Sequence, residues 1–318
     1  MLLNFFLYLP SLIFQSIRLA SINIYPLNWN IKFLSILHAI NGAYIYRKNS
    51  INENVKIPFI QGFVSYILMS LGGTLSAGIL IGIAPGWIIN DNVLPLYFLI
   101  YCIFFLDKEG CITKFISKGG IAIEFISAFI NVTSRTSTLC GNINMIRDYK
   151  DPYITNSIVC LLICGTLSGC GGGILDHTFS LSKREWKYNT PSCLKGENSF
   201  SLKSTIAATL HYIILSNPLN EDMVGLFGFI IKCRQFFIGN PTRIQAMTMT
   251  WIFFIIIYFI YTYINSVKYS MPQFLPPPIV KFFGTYNLDI KSSANTKNIK
   301  ESIPEEKENK IDNEKKNE

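Results

Sequence analysis

Long uncharged apolar runs, not short alternating patterns, organise this chain. Residues 59–89 carry no charge over more than 30 positions, and 154–175 and 247–264 are also uncharged. Residues 94–106 are shorter but extend to spanning length with their flanks. About 20 apolar residues suffice for a helix to cross the hydrocarbon core of a bilayer. A signal peptide explains at most the first such segment of a chain. The pattern therefore predicts a polytopic all-α membrane protein. Eight spans are expected, at 28–46, 58–83, 93–106, 113–140, 153–175, 204–215, 223–238 and 247–264. The apolar stretch 2–14 reads as a retained lead-in or interfacial helix, and its crossing is left open.

Loop charge is independent of apolar run length and agrees with these spans. Arg47, Lys48 and Lys56 follow the first span, Lys108 and Lys114 the third, and Lys183, Arg184, Lys187 and Lys195 the fifth; Arg234 and Arg243 follow the seventh. The loops after the even spans are acidic or mixed: Asp91, then Arg147-Asp148-Lys150-Asp151, then Glu221-Asp222. Lys and Arg mark cytosolic loops, so the start of the first span is expected on the other side.

Composition agrees with the spans. Of 318 residues, 50% are hydrophobic and 15% charged, against about 25% charged in soluble domains; mean hydropathy is +0.32. The net charge of +8 is topology marking, and no basic stripe interleaved with aromatics suggests nucleic acid. The tail 270–318 is rich in Lys, Glu and Asn and should be disordered. Cys160 and Cys164 lie one turn apart, but no His, Asp or second Cys pair joins them to make a metal site, and small apolar packing accounts for them.

Glycine supplies the pattern closest to chemistry. The second span holds Gly72-Gly73, Gly78, Gly82 and Gly86; the fifth holds Gly165, Gly169 and Gly171-Gly172-Gly173. A four-residue spacing puts small residues on one helix face, where two backbones can approach closely. Runs of glycine also weaken a helix, by about 1 kcal/mol each relative to Ala. Both readings stand: ordinary packing seams, or breaks that free carbonyls for an ion path. The two spans are three apart, as corresponding helices of inverted 3+3 halves would be. Interrupted helices in matching positions of such halves mark permeation sites.

Catalytic motifs are missing: no G-x-S-x-G, H-E-x-x-H or P-loop occurs. An enzyme is not expected, and no cofactor is implied by the residues. Ionisable groups at membrane depth are costly and usually functional. Glu124 in the fourth span is one, unless that span starts later and leaves it at the interface. Asp176-His177 ends the glycine stretch, as a charged pore mouth or as a helix end reaching water. Lys118, with Lys108, Lys114 and Arg135, makes a basic surface near the fourth span that can attract anionic headgroups.

Several segments together resemble the trimeric intracellular cation (TRIC) channels. Gly62-Phe63-Val64-Ser65-Tyr66-Ile67-Leu68 is similar to their second helix and Tyr101-Cys102-Ile103-Phe104-Phe105-Leu106-Asp107 to the end of their third. Gly169-Cys170-Gly171-Gly172 with Phe179 and Trp186 resembles the fifth helix and the Phe…Trp segment after it, and Ser201-Leu202-Lys203-Ser204 the start of the sixth. The resemblance covers about residues 25–240 in consistent order. It implies a seven-helix 3+3 inverted-repeat bundle, a homotrimer with one pore per subunit, and residence in the endoplasmic reticulum or another intracellular membrane. It implies conduction of monovalent cations, chiefly potassium, as counter-ion flux for calcium release.

The same resemblance implies a phosphoinositide lipid at a Lys-Glu…Arg motif on the fourth helix. Glu124 matches the acid there, while Ile123 and Ser127 stand where the bases should be, leaving Arg135 and Lys118 as candidates. The expected organisation is a lead-in segment at 1–24, the channel unit at 25–240, an extra transmembrane helix at 245–266 and the tail at 270–318. An extra crossing would move the tail to the side opposite the family's. The competing reading is a small-solute secondary transporter built on the same inverted-repeat logic, for which Asp176 and His177 are the main polar candidates.

Overall fold

The computed structural model describes residues 2–24, 29–52, 57–107, 111–112, 114, 120–149, 152–155, 157–191, 200–216 and 226–270. Lys118, Cys193, Glu221, Asp222 and the tail from residue 271 lie outside the described residues. Helix α1 spans Leu2–Leu19, followed by a hairpin of β1 (Ser21–Ile24) and β2 (Trp29–Lys32). Then come α2 (Phe33–Asn52), α3 (Phe59–Ile81), α4 (Gly86–Ile89), α5 (Val93–Phe105) and α6 (Gly120–Arg147). The chain continues through α7 (Pro152–Thr155), α8 (Ile158–Phe179), α9 (Phe200–Ser216), α10 (Leu226–Ile238) and α11 (Arg243–Ser270).

Three described helices are long and apolar enough to cross a membrane, α3, α8 and α11 through Tyr263; α5 is apolar but shorter. Helices α2, α6 and α9 are more polar, and α6 packs against both of the others. In such a bundle every backbone polar group must be satisfied internally, which favours helices throughout. The protein is a multi-pass helical membrane protein.

Several element boundaries differ from the sequence expectation. The first crossing begins at Phe33, because Trp29–Lys32 pairs antiparallel with Ser21–Ile24. The fourth begins at Gly120 and runs on to Arg147. The fifth starts at Ile158, where the Ser157 hydroxyl accepts from the Cys160 amide at 3.2 Å as an N-cap.

The helices form two three-helix units. In the first, α2, α3 and α5 enclose a core of Ala39, Ala43, Tyr46, Tyr66, Tyr97 and Tyr101. Tyr66 donates to the Ala39 carbonyl and Tyr101 to the Phe59 carbonyl, both at 2.8 Å, so these buried rings keep their hydroxyls satisfied. In the second, α6, α8 and α9 pack around Leu139, Ile143, Leu161, Ala208 and Tyr212.

Helix α11, expected as an appendage, is part of this second core. Trp251 and Phe254 are buried in it, and the Trp251 indole donates to Thr133 Oγ1 at 3.0 Å. Arg243 at its start pairs with Asp148 after α6, and the Phe259 ring near its end sits 5.2 Å from Phe125 near the start of α6. The two helices are antiparallel over their full length.

The described part of the seventh expected span is α10, 13 residues from Leu226 to Ile238. Arg234 near its end donates to the Leu215 carbonyl at the end of α9. Arg147 at the end of α6 also reaches Ser216. The ends of α6, α9 and α10 and the start of α11 therefore share one face of the bundle. Helix α11 packs on α6, α9 and α1 and closes the described bundle.

Helix α1 lies antiparallel along α11, with Phe14 and Trp251 rings 5.2 Å apart and Arg18 Nη1 3.8 Å from Met247 Sδ. Its other face exposes Tyr8, Leu9, Leu12 and Ile13.

Candidate functional site

The two units meet where α3 crosses α8, the most extensive helix pair in the structure. The glycines are at the crossing. A Cβ on Gly171 would stand 2.7 Å from Gly73 Cα, and one on Gly73 would stand 2.5 Å from the Leu167 carbonyl oxygen. A Cβ on Gly172 would overlap the Met69 carbonyl oxygen at 1.9 Å, and one on Gly72 would press on Leu175. Gly169 faces Thr205 of α9, where a Cβ would lie 2.6 Å from the methyl carbon.

The expected helix breaks are absent. Helix α3 runs unbroken through Gly72-Gly73 and α8 through Gly171-Gly172-Gly173. In a bilayer a freed carbonyl has no water to turn to, so the glycines keep their helical hydrogen bonds and give backbone-to-backbone contact instead. The break in this span comes later. Gly82 takes a left-handed conformation, φ 67°, and the chain folds back over Gly78, whose Cβ would meet the Ile83 carbonyl at 2.5 Å.

Beside the crossing lies a cavity of about 560 Å³. Its wall combines Asn41 of α2, Ser70 and Thr74 of α3, and Asn131, Ser134, Arg135, Thr138 and Asn142 of α6, with Gly73, Gly78, Gly169, Gly172 and Gly173. A Cβ on Gly173 would meet nothing within 4 Å, so this glycine faces open space. Arg18, Lys32 and Trp87 line the cavity too. They belong to the ends of α1 and β2 and to α4, all near the start of α2.

Arg135 is held sideways. Its Nε donates to Asn131 at 2.7 Å, and Nη1 donates to Ser201 at 2.6 Å and to the Tyr258 hydroxyl at 3.0 Å. It ties α6 to α9 and α11 while lining the cavity. The polar stripe on α6 repeats at 131, 134, 135, 138 and 142, a helical spacing that is visible in the sequence. The longer apolar runs and the glycine clusters are the stronger signals there and mask it.

The other sequence candidates fall outside the cavity. Glu124 sits one turn into α6, half exposed; Lys48 pairs with it, and the Tyr44 hydroxyl donates to it at 3.3 Å. Its partner Lys48 lies near the end of α2, so the pair sits towards one end of the bundle. Asp176 is buried, and its Oδ1 accepts from the Ser182 amide at 3.0 Å and hydroxyl at 2.8 Å. It fastens the turn after α8, where Ser180 takes φ 54°. His177 is exposed beside it. Neither lines this cavity.

Comparison with solved structures bears directly on this arrangement. One similar structure is a TRIC counter-ion channel solved to explain channel activity in calcium release, with 19% identity, a TM-score of 0.51, and 73% of this chain matched to 93% of that one. Another is a trimeric intracellular cation channel from C. elegans solved in the absence of Ca2+, with 14% identity, a TM-score of 0.53, and 80% of this chain matched to 95% of that one. The fold is that of the TRIC channels. No family model and no curated protein matches the sequence. Both neighbours are matched over nearly their whole length.

Proposed function

We propose that this chain is the subunit of a cation channel of an intracellular membrane, assembled as a homotrimer. Potassium is its main ion, carried as counter-ion flux when calcium is released. The observation that carries the reading is the cavity itself. In a fold shared with cation channels, it is walled by carboxamide and hydroxyl oxygens and adjoins the glycine crossing of α3 and α8. Neutral oxygens bind a monovalent cation well enough to replace part of its hydration and weakly enough to release it. The guanidinium of Arg135 is turned toward α9 and α11 by its three hydrogen bonds, which leaves the carboxamides and hydroxyls to face the ion. Membrane lipid is the surrounding partner. We assign no phosphoinositide to Glu124 or Arg135, whose described contacts are with other protein groups.

Single-channel recording of purified protein in planar bilayers under a KCl gradient tests the reading, with Gly173→Leu beside the wild type. Cation-selective openings, reduced in the variant because its side chain enters the cavity, are expected. Folded, inserted protein that stays silent overturns the proposal. A saturable, solute-specific flux without unitary current would assign the cavity to a transporter.

A further inference from the structure

We infer that Arg18 and Lys32 form a cationic collar at one mouth of the cavity and slow the entry of cations from that face, which makes the conductance asymmetric. The inference rests on the channel reading and adds residues that set its flux. Asn30, Lys32 and Asn90 line the cavity and are exposed at the same time, so the cavity opens to solvent where they stand. Arg18, half-buried, lines it as well. Its Nη1 lies 3.8 Å from Met247 Sδ near the start of α11. This mouth is therefore on the face opposite Lys48 and Glu124.

The hairpin holds the two bases together. Lys32 pairs with Ser21 across the β1–β2 ladder, and Ser21 closely follows Arg18 in sequence. The Phe33 amide donates to the Ala20 carbonyl at 2.8 Å, and the Ala20 amide donates to the Ser16 carbonyl at 2.9 Å. The end of α1 is thereby stapled to the start of α2. Among the described residues no carboxylate pairs with either base: the ion pairs are Lys48–Glu124, Lys187–Glu185 and Arg243–Asp148. No described lining residue is Asp or Glu, and Asp91, between the lining Asn90 and Asn92, is exposed and is not part of the wall. The remaining lining base, Arg135, is bound to α9 and α11 and stays the same in every variant below.

The charge lining a cleft sets the local concentration of an approaching ion. Two positive charges without an opposing carboxylate deplete cations at this mouth. The carboxamides and hydroxyls of the wall decide which ion is held, and the collar decides how fast it arrives from this side. The effect must fade with salt, because the screening length falls from about 10 Å at 0.1 M to about 3 Å at 1 M. A solvated lysine that only caps the hairpin would leave the current indifferent to its charge.

The experiment records single-channel currents of the full chain in phosphatidylcholine bilayers, in symmetric KCl at about 0.1 M and about 1 M. Wild type should pass less cation current from the collar face than from the other. Arg18→Gln with Lys32→Gln should raise the current from that face about twofold or more at the lower salt, change it little at the higher salt, and leave the opposite direction nearly unaltered. Arg18→Lys with Lys32→Arg, as a folding control, should behave as wild type. Lys32→Cys tests the charge within one folded protein. An impermeant cationic methanethiosulfonate should lower its current again and an anionic one should raise it, with wild type under the same reagents as the control for native cysteines. The side on which the reagent acts identifies the face. Equal currents in wild type and the neutralised variant at low salt, or adducts of opposite charge that act alike, overturn the collar and leave the channel reading intact. Folded, inserted wild type that stays silent overturns the channel reading and the collar with it.

Discussion

Arg243 holds Asp148 with both terminal nitrogens, at 2.8 and 2.7 Å. This bidentate pair fixes the first residue of α11 against the turn that ends α6. At the far end, the stacked rings of Phe125 and Phe259 close the same helix pair. Helix α11 therefore ends at the face that carries Lys48 and Glu124.

The chain beyond α11 should accordingly leave on the side of the basic loops. A tag placed at the C-terminus and a single cysteine introduced at Lys183 should be reached by impermeant reagents from the same side of sealed microsomes. Opposite sides would mean that α10 crosses and the packing of α11 is misassigned.

The Arg243–Asp148 pair also predicts a pH effect. Hydrogen bonding to Arg243 holds the Asp148 carboxyl below its ordinary value. A depressed carboxylate stabilises the fold above its unfolded pKa of about 3.9 and stops doing so as pH falls through the lower folded value. Arg243→Gln should lower the thermal midpoint slightly at neutral pH, and the gap should close in strong acid. Both groups are exposed, so a large effect would contradict the geometry.

The glycine crossing separates neighbouring positions sharply. Gly172→Ala forces a Cβ into the Met69 carbonyl and should destabilise by about 3 kcal/mol or more, beyond ordinary overpacking. Gly173→Ala meets open space and should be neutral or stabilising by up to about 1 kcal/mol through helix propensity. Thermal unfolding in detergent compares them; equal effects would refute the crossing.

Asp176 is a fastener for the turn after α8. Asp176→Ala leaves the Ser182 amide without its acceptor and should cost about 1–3 kcal/mol. Conducted-ion selectivity in bilayer recordings should stay as in the wild type. A change in selectivity with unchanged stability would return Asp176 to the permeation path.

Lys48 and Glu124 are both substantially exposed, so their coupling in a double-mutant cycle should stay under about 1 kcal/mol. A larger coupling would show that membrane burial desolvates the pair.

The sequence by itself determined that the chain is a helical membrane protein, because apolar runs of spanning length admit few other solutions. It also marked the second and fifth spans as special, because small residues every four positions permit close approach. The spacing could not say whether Gly72-Gly73 and Gly171–Gly173 break the helix or pack it. That depended on what stands opposite each Cβ, which is a property of two helices together. The run 247–264 likewise announced a helix, but its role in closing the bundle came from Trp251, Phe254 and Arg243 meeting α6. The cavity was least legible. Its polar wall comes mainly from α2, α3 and α6 with the glycines of α8, and residues scattered over several helices converge only when the tertiary packing turns their faces toward one another.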